Sequence, residues 1–244
     1  MELVHHRSGS GPPLVLMHGI GHHWQAWRPV LDLLARHHDV IAVDLPGFGA
    51  SPPLPPGTIS TAESLAYAVE AFWHDLGIEE PHVAGNSLGG YLALDMASRG
   101  VCRTATAISP AGFWSRTELL WLRSVLKAMR SGPISRAGLG LVVNHPERVS
   151  DEVLHAGWQA LKDAPGFYET LDAFYWMPPP APPKVPVTIA WGDKDRMLPR
   201  RQAVRAGRWA QRRVHLLSGC GHVPMTDDPE LVARVILNGA RAAN

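Results

Sequence analysis

One pattern constrains the fold of this chain more than any other. Five times a short apolar run breaks off into a polar turn, usually glycine-rich. Leu14-Val15-Leu16-Met17 runs into His18-Gly19-Ile20-Gly21, and Val40-Ile41-Ala42-Val43 into Asp44-Leu45-Pro46-Gly47. His82-Val83-Ala84 runs into Gly85-Asn86-Ser87-Leu88-Gly89, the segment from Val185 to Trp191 into Gly192-Asp193-Lys194-Asp195, and Val214 to Leu217 into Gly219-Cys220-Gly221-His222. Thr104 to Ile108, closed by Ser109-Pro110, adds a further strand. Continuous apolar runs of this length are the signature of strands buried on both faces. Between them lie stretches with helical spacing: Trp27 to Ala35, Thr58 to Leu76, the segment after Ser87 to about Arg99, Arg201 to Ala210 and Pro229 to Ala242. Strands alternating with helices predict an α/β fold, a mostly parallel, doubly wound sheet covered on both faces. Ligands bind such sheets at the carboxyl ends of the strands. All five turns therefore fall on one edge.

The Ser87 turn carries the chemistry. A Gly-x-Ser-x-Gly pattern gains meaning only between a strand and a helix, and that is its setting here. Gly85 and Gly89 flank a turn in which backbones approach too closely for a Cβ. The helix that follows aims free N–H groups at any developing negative charge. A serine hydroxyl reacts at neutral pH only when a base takes its proton, and histidine has the suitable pKa.

Residues 111–183 break the alternation. Leu119 to Met129, Val153 to Leu161 and Tyr168 to Trp176 have helical spacing, and Pro178 to Pro183 forms a stiff close. This predicts a helical cap over the strand-end edge, inserted into a core made of 1–110 and 184–244. The cap holds Trp114, Trp121, Trp158 and Trp176, with Trp114 and Trp121 taken as substrate-binding candidates. Its basic residues, Arg116, Arg123, Lys127, Arg130 and Arg136, form either a solvated helix face or a landing site for an acidic carrier protein.

Composition narrows the alternatives. At 244 residues the chain is long enough for one sizeable core. Its formal net charge of +1 gives no reason to invoke nucleic acid or an anionic membrane surface. No apolar run reads as a signal peptide or a membrane span, so a cytoplasmic location is expected. Cys102 and Cys220 are too few for a disulfide framework and sit in no metal-ligand spacing. Several of the thirteen histidines fall in adjacent pairs, whose side chains diverge, so no metal and no cofactor is expected.

Together these motifs resemble the α/β-hydrolase fold family, from about Gly9 to the C-terminus. The carriers are His18-Gly19, Asp44 with Gly47-Phe48-Gly49 and Ser51, Gly85 to Gly90, Gly192 to Asp195, and Gly221-His222. Only Glu2 to Arg7 is available for the two strands that usually open the family's sheet. The resemblance implies a triad in the order serine, acid, histidine. Ser87 would be the nucleophile, His222 the base and Asp195 the acid that orients it. Asp193 is the competing acid, read as a turn former. The resemblance also implies oxyanion donors on the backbone N–H groups of Leu88 and Ile20, with His18 bracing the loop. Asp227 and Asp228 read as caps of the last helix. The serine argues against relatives that use aspartate at the elbow, namely haloalkane dehalogenases and epoxide hydrolases. The implied reaction is hydrolysis of a small carboxylic ester or thioester through an acyl-enzyme. Alternatives are a C–C bond hydrolase of vinylogous diketone ring-cleavage products, a cofactor-free perhydrolase, and a ligand-binding receptor on a hydrolase fold.

Overall fold

A computed structural model describes residues 1–133 and 135–242. Among these residues seven strands form one sheet: β1 His5–Gly9, β2 Pro13–Met17, β3 Asp39–Val43, β4 His82–Asn86, β5 Thr104–Ile108, β6 Val187–Gly192 and β7 His215–Leu217. Their spatial order is β1-β3-β2-β4-β5-β6-β7. All pairings are parallel except that of β1 with β3. The expected doubly wound, mostly parallel α/β sheet is therefore present. Its opening is shorter than the family resemblance implied, with one antiparallel strand in place of two. That strand, His5-His6-Arg7-Ser8-Gly9, lies on the sheet edge, and Arg7 pairs with Asp39 across to β3. Its polar sequence gave no apolar run to read.

The helices are α1 Arg28–Ala35, α2 Ala62–Asp75, α3 Leu88–Arg99, α4 Arg116–Ser131, α5 Arg136–Leu139, α6 Asp151–Asp163, α7 Phe167–Ala173, α8 Arg200–Ala210, α9 Pro224–Asp227 and α10 Pro229–Arg241. Their starts follow from capping chemistry. Thr61 caps α2 in a capping box with Ser64, and Ser115 caps α4 in one with Glu118. Gly100, in the left-handed region at φ 79°, ends α3.

Two apolar layers cover the sheet. Alternate residues of one strand serve opposite layers: Val15 and Met17 join the side holding α2 and α3, whereas Leu14 and Leu16 join the side holding α1 and α10. Fully buried residues include Trp73 in the first layer and Trp27 in the second. Helices α4 to α7 fall in the long connection between β5 and β6, where the sequence predicts an insertion. Among the described residues no helix is long and apolar enough to cross a membrane.

Candidate active site at the strand-end edge

Ser87 sits between β4 and α3 with φ 56° and ψ −114°, a conformation that non-glycine residues rarely adopt. The surroundings fix it there. Its N–H donates to Ile108 O at 3.0 Å, and its carbonyl accepts from Tyr91 N and Ala111 N, both at 3.0 Å. The flanking glycines are needed for space. A Cβ on Gly85 would run into the Gly89 carbonyl, and one on Gly89 into the Met17 carbonyl. The turn stands as the sequence predicts, with strain held in place by close packing.

The His18 loop lies directly against this turn. A Cβ on Gly19 would stand 3.1 Å from Ser87 Cβ. His18 Nε2 accepts the Leu45 N–H at 3.0 Å, so Nδ1 carries the proton and donates to Gly19 O at 2.7 Å. Complete burial pushes the His18 pKa down to about 3, which keeps the ring neutral. His18 is thus a brace between the β2 and β3 loops, as expected. The N–H groups of Ile20 and Leu88 are not among the hydrogen-bonded backbone donors of the described residues. Leu88 is fully buried, and Ile20 packs half-buried against the α2–α3 layer.

Across the edge, His222 Nδ1 lies 2.9 Å from Asp195 Oδ2. Asp195 is buried and its other oxygen accepts two backbone N–H groups, from Met197 at 2.9 Å and Leu198 at 2.7 Å. With Nδ1 facing Asp195, Nε2 is the ring nitrogen that no hydrogen bond among the described residues occupies. Asp193 is occupied elsewhere: its Oδ1 accepts the Gly219 N–H at 2.8 Å. No hydrogen bond among the described residues joins Ser87 Oγ to His222. Such bonds are often long before substrate arrives.

Asn86 had no role assigned from sequence. Its Nδ2 donates to the His222 carbonyl at 2.9 Å and to Ile108 O at 3.2 Å. The residue before the serine thus ties the β4 end to the histidine loop. Only its place inside the Ser87 turn hinted at this. His22, two residues past Ile20, is a second omission. Its Nδ1 is buried without a partner, and burial, with His222 among the neighbouring charges, pushes its pKa down to about 3. Asp227 is a correction: of the two expected caps only Asp228 serves, accepting the Leu231 N–H at 2.9 Å at the start of α10.

The tryptophan expectations divide. Trp114 packs against Phe174, with ring centroids 5.2 Å apart, and against the α2–α3 layer. Trp121 is 43 % exposed on α4. Cys220 is buried, and burial pushes its thiol up to about 12, so it stays protonated. Among the described residues no group of three or more His, Cys, Asp or Glu could hold a metal ion.

The chain belongs to the α/β hydrolase family, whose model matches residues 14–235. It is similar to 2-hydroxy-6-oxo-2,4-heptadienoate hydrolase of Pseudomonas putida, 28% identical, with 89% of this chain and 84% of the relative covered. It is also 28% identical to the epoxide hydrolase EphH of Mycobacterium tuberculosis, over 70% of this chain and 91% of the relative. A 40% match to the dihydrolipoyllysine-residue acetyltransferase component of the acetoin cleaving system of Cupriavidus necator covers 44% of this chain and only 29% of that protein. The fold matches that of a thermophilic esterase from Thermogutta terrifontis, with a TM-score of 0.81 at 22% identity over 99% of this chain and 93% of the other.

Proposed function

We propose that the protein is a serine hydrolase that cleaves a small carboxylic ester or thioester through an acyl-enzyme on Ser87. The observation that carries this reading is the shared edge. A strained serine at a helix N-terminus stands at the end of β4, and a buried His222–Asp195 pair stands at the ends of β6 and β7. Asn86 joins the two through the His222 carbonyl.

In this mechanism His222 Nε2 takes the Ser87 proton as Oγ attacks the substrate carbonyl. Asp195 holds the imidazole with its proton on Nδ1 and stabilises the imidazolium that forms. The N–H groups of Leu88 and Ile20 receive the oxyanion, and one such donor is worth about a hundredfold to a thousandfold in rate. His222 then returns the proton to the leaving group. It next activates water to release the acid. No step calls on a cofactor.

In the same reading residues 111–183 are a cap on a core of 1–110 and 184–244. Among the contacts that tie this segment to the core, Gly166 N–H donates to Gly47 O on the loop after β3 at 3.0 Å, and Tyr91 OH of α3 donates to Pro178 O at 2.8 Å. Trp114 packs inward against Phe174 and is the better of the two tryptophan candidates; Trp121 is partly exposed on α4. The carrier-protein alternative loses support from three of its five basic residues; the other two, Arg116 and Lys127, are exposed. Arg123 bonds Leu171 O and Asp172, Arg130 bonds Leu161 O, and Arg136 bonds Pro146 O and Val149 O. They hold the insertion together from within.

A second reading, cleavage of a C–C bond in a vinylogous diketone acid, draws on the likeness to the heptadienoate hydrolase along most of both chains. A panel of p-nitrophenyl esters of rising acyl length, run beside a vinylogous diketone acid, separates the two. Ester turnover at least a hundredfold above diketone cleavage supports the first reading, and the reverse ratio supports the second.

A further inference from the structure

Asp227 lies five residues after His222, and its carboxylate points away from α10. Oδ1 accepts the N–H groups of Asn144 and His145, both at 3.0 Å, and Oδ2 accepts the N–H of Gly221 at 2.8 Å. Asn144 and His145 belong to the insertion between β5 and β6. Gly221 is the residue before His222. One carboxylate therefore grips both sides of a seam, through charge-assisted bonds that are stronger than neutral ones.

Three more bonds close the same seam. The His222 N–H donates to Val142 O at 2.7 Å, the Val223 N–H to the same carbonyl at 3.0 Å, and Asn144 Nδ2 to Gly219 O at 2.9 Å. The two segments are packed to backbone contact. A Cβ on Gly221 would approach Asn144 N, Val142 O and the Val143 carbonyl carbon to 2.9 Å each. The His222 backbone is thus held from two directions. The insertion binds its N–H, and Asn86 of the sheet binds its carbonyl.

We infer that Asp227 is a positioning residue: it welds residues 142–145 of the insertion to the histidine loop, so that the insertion sets where His222 stands relative to Ser87. This inference rests on the reading of His222 as the base. It gives the insertion a part in proton transfer through backbone placement, without a side chain of its own in the reaction.

The test compares wild type, Asp227→Asn, Asn144→Ala and His222→Ala on p-nitrophenyl acetate, with thermal melts alongside. Asn offers one acceptor oxygen and turns an NH₂ group toward a backbone N–H. The expected result for Asp227→Asn is a kcat loss of about tenfold to a hundredfold with KM within about twofold. Asn144→Ala should lose several-fold in kcat, and the double variant less than the product of the two, because both act on one seam. Wild-type kcat in folded Asp227→Asn, or a loss confined to KM, overturns the inference. If Asp227→Asn does not fold, Asn144→Ala decides, and unchanged kcat there overturns it. Retained activity in His222→Ala sinks the underlying reading instead, so the two failures are distinguishable.

Discussion

His222 Nδ1 stands 2.9 Å from Asp195 Oδ2, while Asp193, two residues earlier on the same turn, holds the Gly219 N–H at 2.8 Å. The two aspartates of Gly192-Asp193-Lys194-Asp195 therefore have separable tasks. Asp195→Asn should lower kcat roughly a thousandfold or more, because an amide favours the wrong imidazole tautomer and cannot stabilise the imidazolium. Asp193→Asn should retain kcat within about tenfold, since it loses one hydrogen bond to a loop backbone. Steady-state kinetics on an activated ester checks both, and a larger loss in the Asp193 variant would reverse the assignment.

Asn86 is tested through its two acceptors, the carbonyls of His222 and Ile108. Asn86→Ala removes the side-chain donor from the His222 carbonyl and frees the histidine loop on its sheet side, while Ile108 O keeps the Ser87 N–H. The expected loss is about tenfold in kcat with a small drop in melting temperature. Asn86→Asp should be worse, because it places a carboxylate against two carbonyl oxygens. Equal activity in both variants would remove Asn86 from the positioning of His222.

The strands were legible because β2 to β5 are buried on both faces, and β2 and β3 carry the unbroken apolar runs Leu14 to Met17 and Val40 to Val43. The polar edge strand β1 was not, since it needs only one partner and little burial. Ser87, Asp195 and His222 were legible as residues on strand-end turns. The ties that set their geometry were not. Asn86 to His222 O spans 136 positions and Asp227 to Asn144 spans 83, and a contact between a side chain and a distant backbone leaves no periodic trace. The same holds for the arginines between β5 and β6. A run of basic residues on a helix looks alike in sequence whether it faces solvent or, like Arg123, lies buried against a carbonyl.

Acid should unfold the protein through its buried histidines. Burial holds His18 at about 3 and His82 at about 4, both below the ordinary 6.5. The unfolded chain takes up these protons first. The stability they contribute is present above about pH 6.5 and is lost as pH falls toward those folded values. Melting temperature followed from pH 7.5 to 4 should fall steadily below about 6.5. His82→Asn, which can keep a hydrogen bond to Thr104 Oγ1, should make that fall shallower from about pH 6.5 down to 4. A melting temperature that does not change over this range would contradict the account.

Gly89→Ala tests the packing of the turn apart from its chemistry. A Cβ there meets the Met17 carbonyl, part of the sheet itself and unable to yield. The expected cost is about 2 kcal/mol or more, seen as a large drop in melting temperature or as loss of soluble protein. A fully stable Gly89→Ala variant would show that β2 and α3 approach less closely than described.

Activation of Ser87 as a nucleophile by His222 can be read on the serine itself. The most direct measurement is covalent labelling by a fluorophosphonate, read by intact mass and peptide mapping, in wild type, Ser87→Ala and His222→Ala. One adduct is expected, on Ser87, in wild type, none in Ser87→Ala, and labelling slowed at least about a hundredfold in His222→Ala, with all three proteins folded. No adduct on folded wild type, or undiminished labelling in Ser87→Ala, would contradict it.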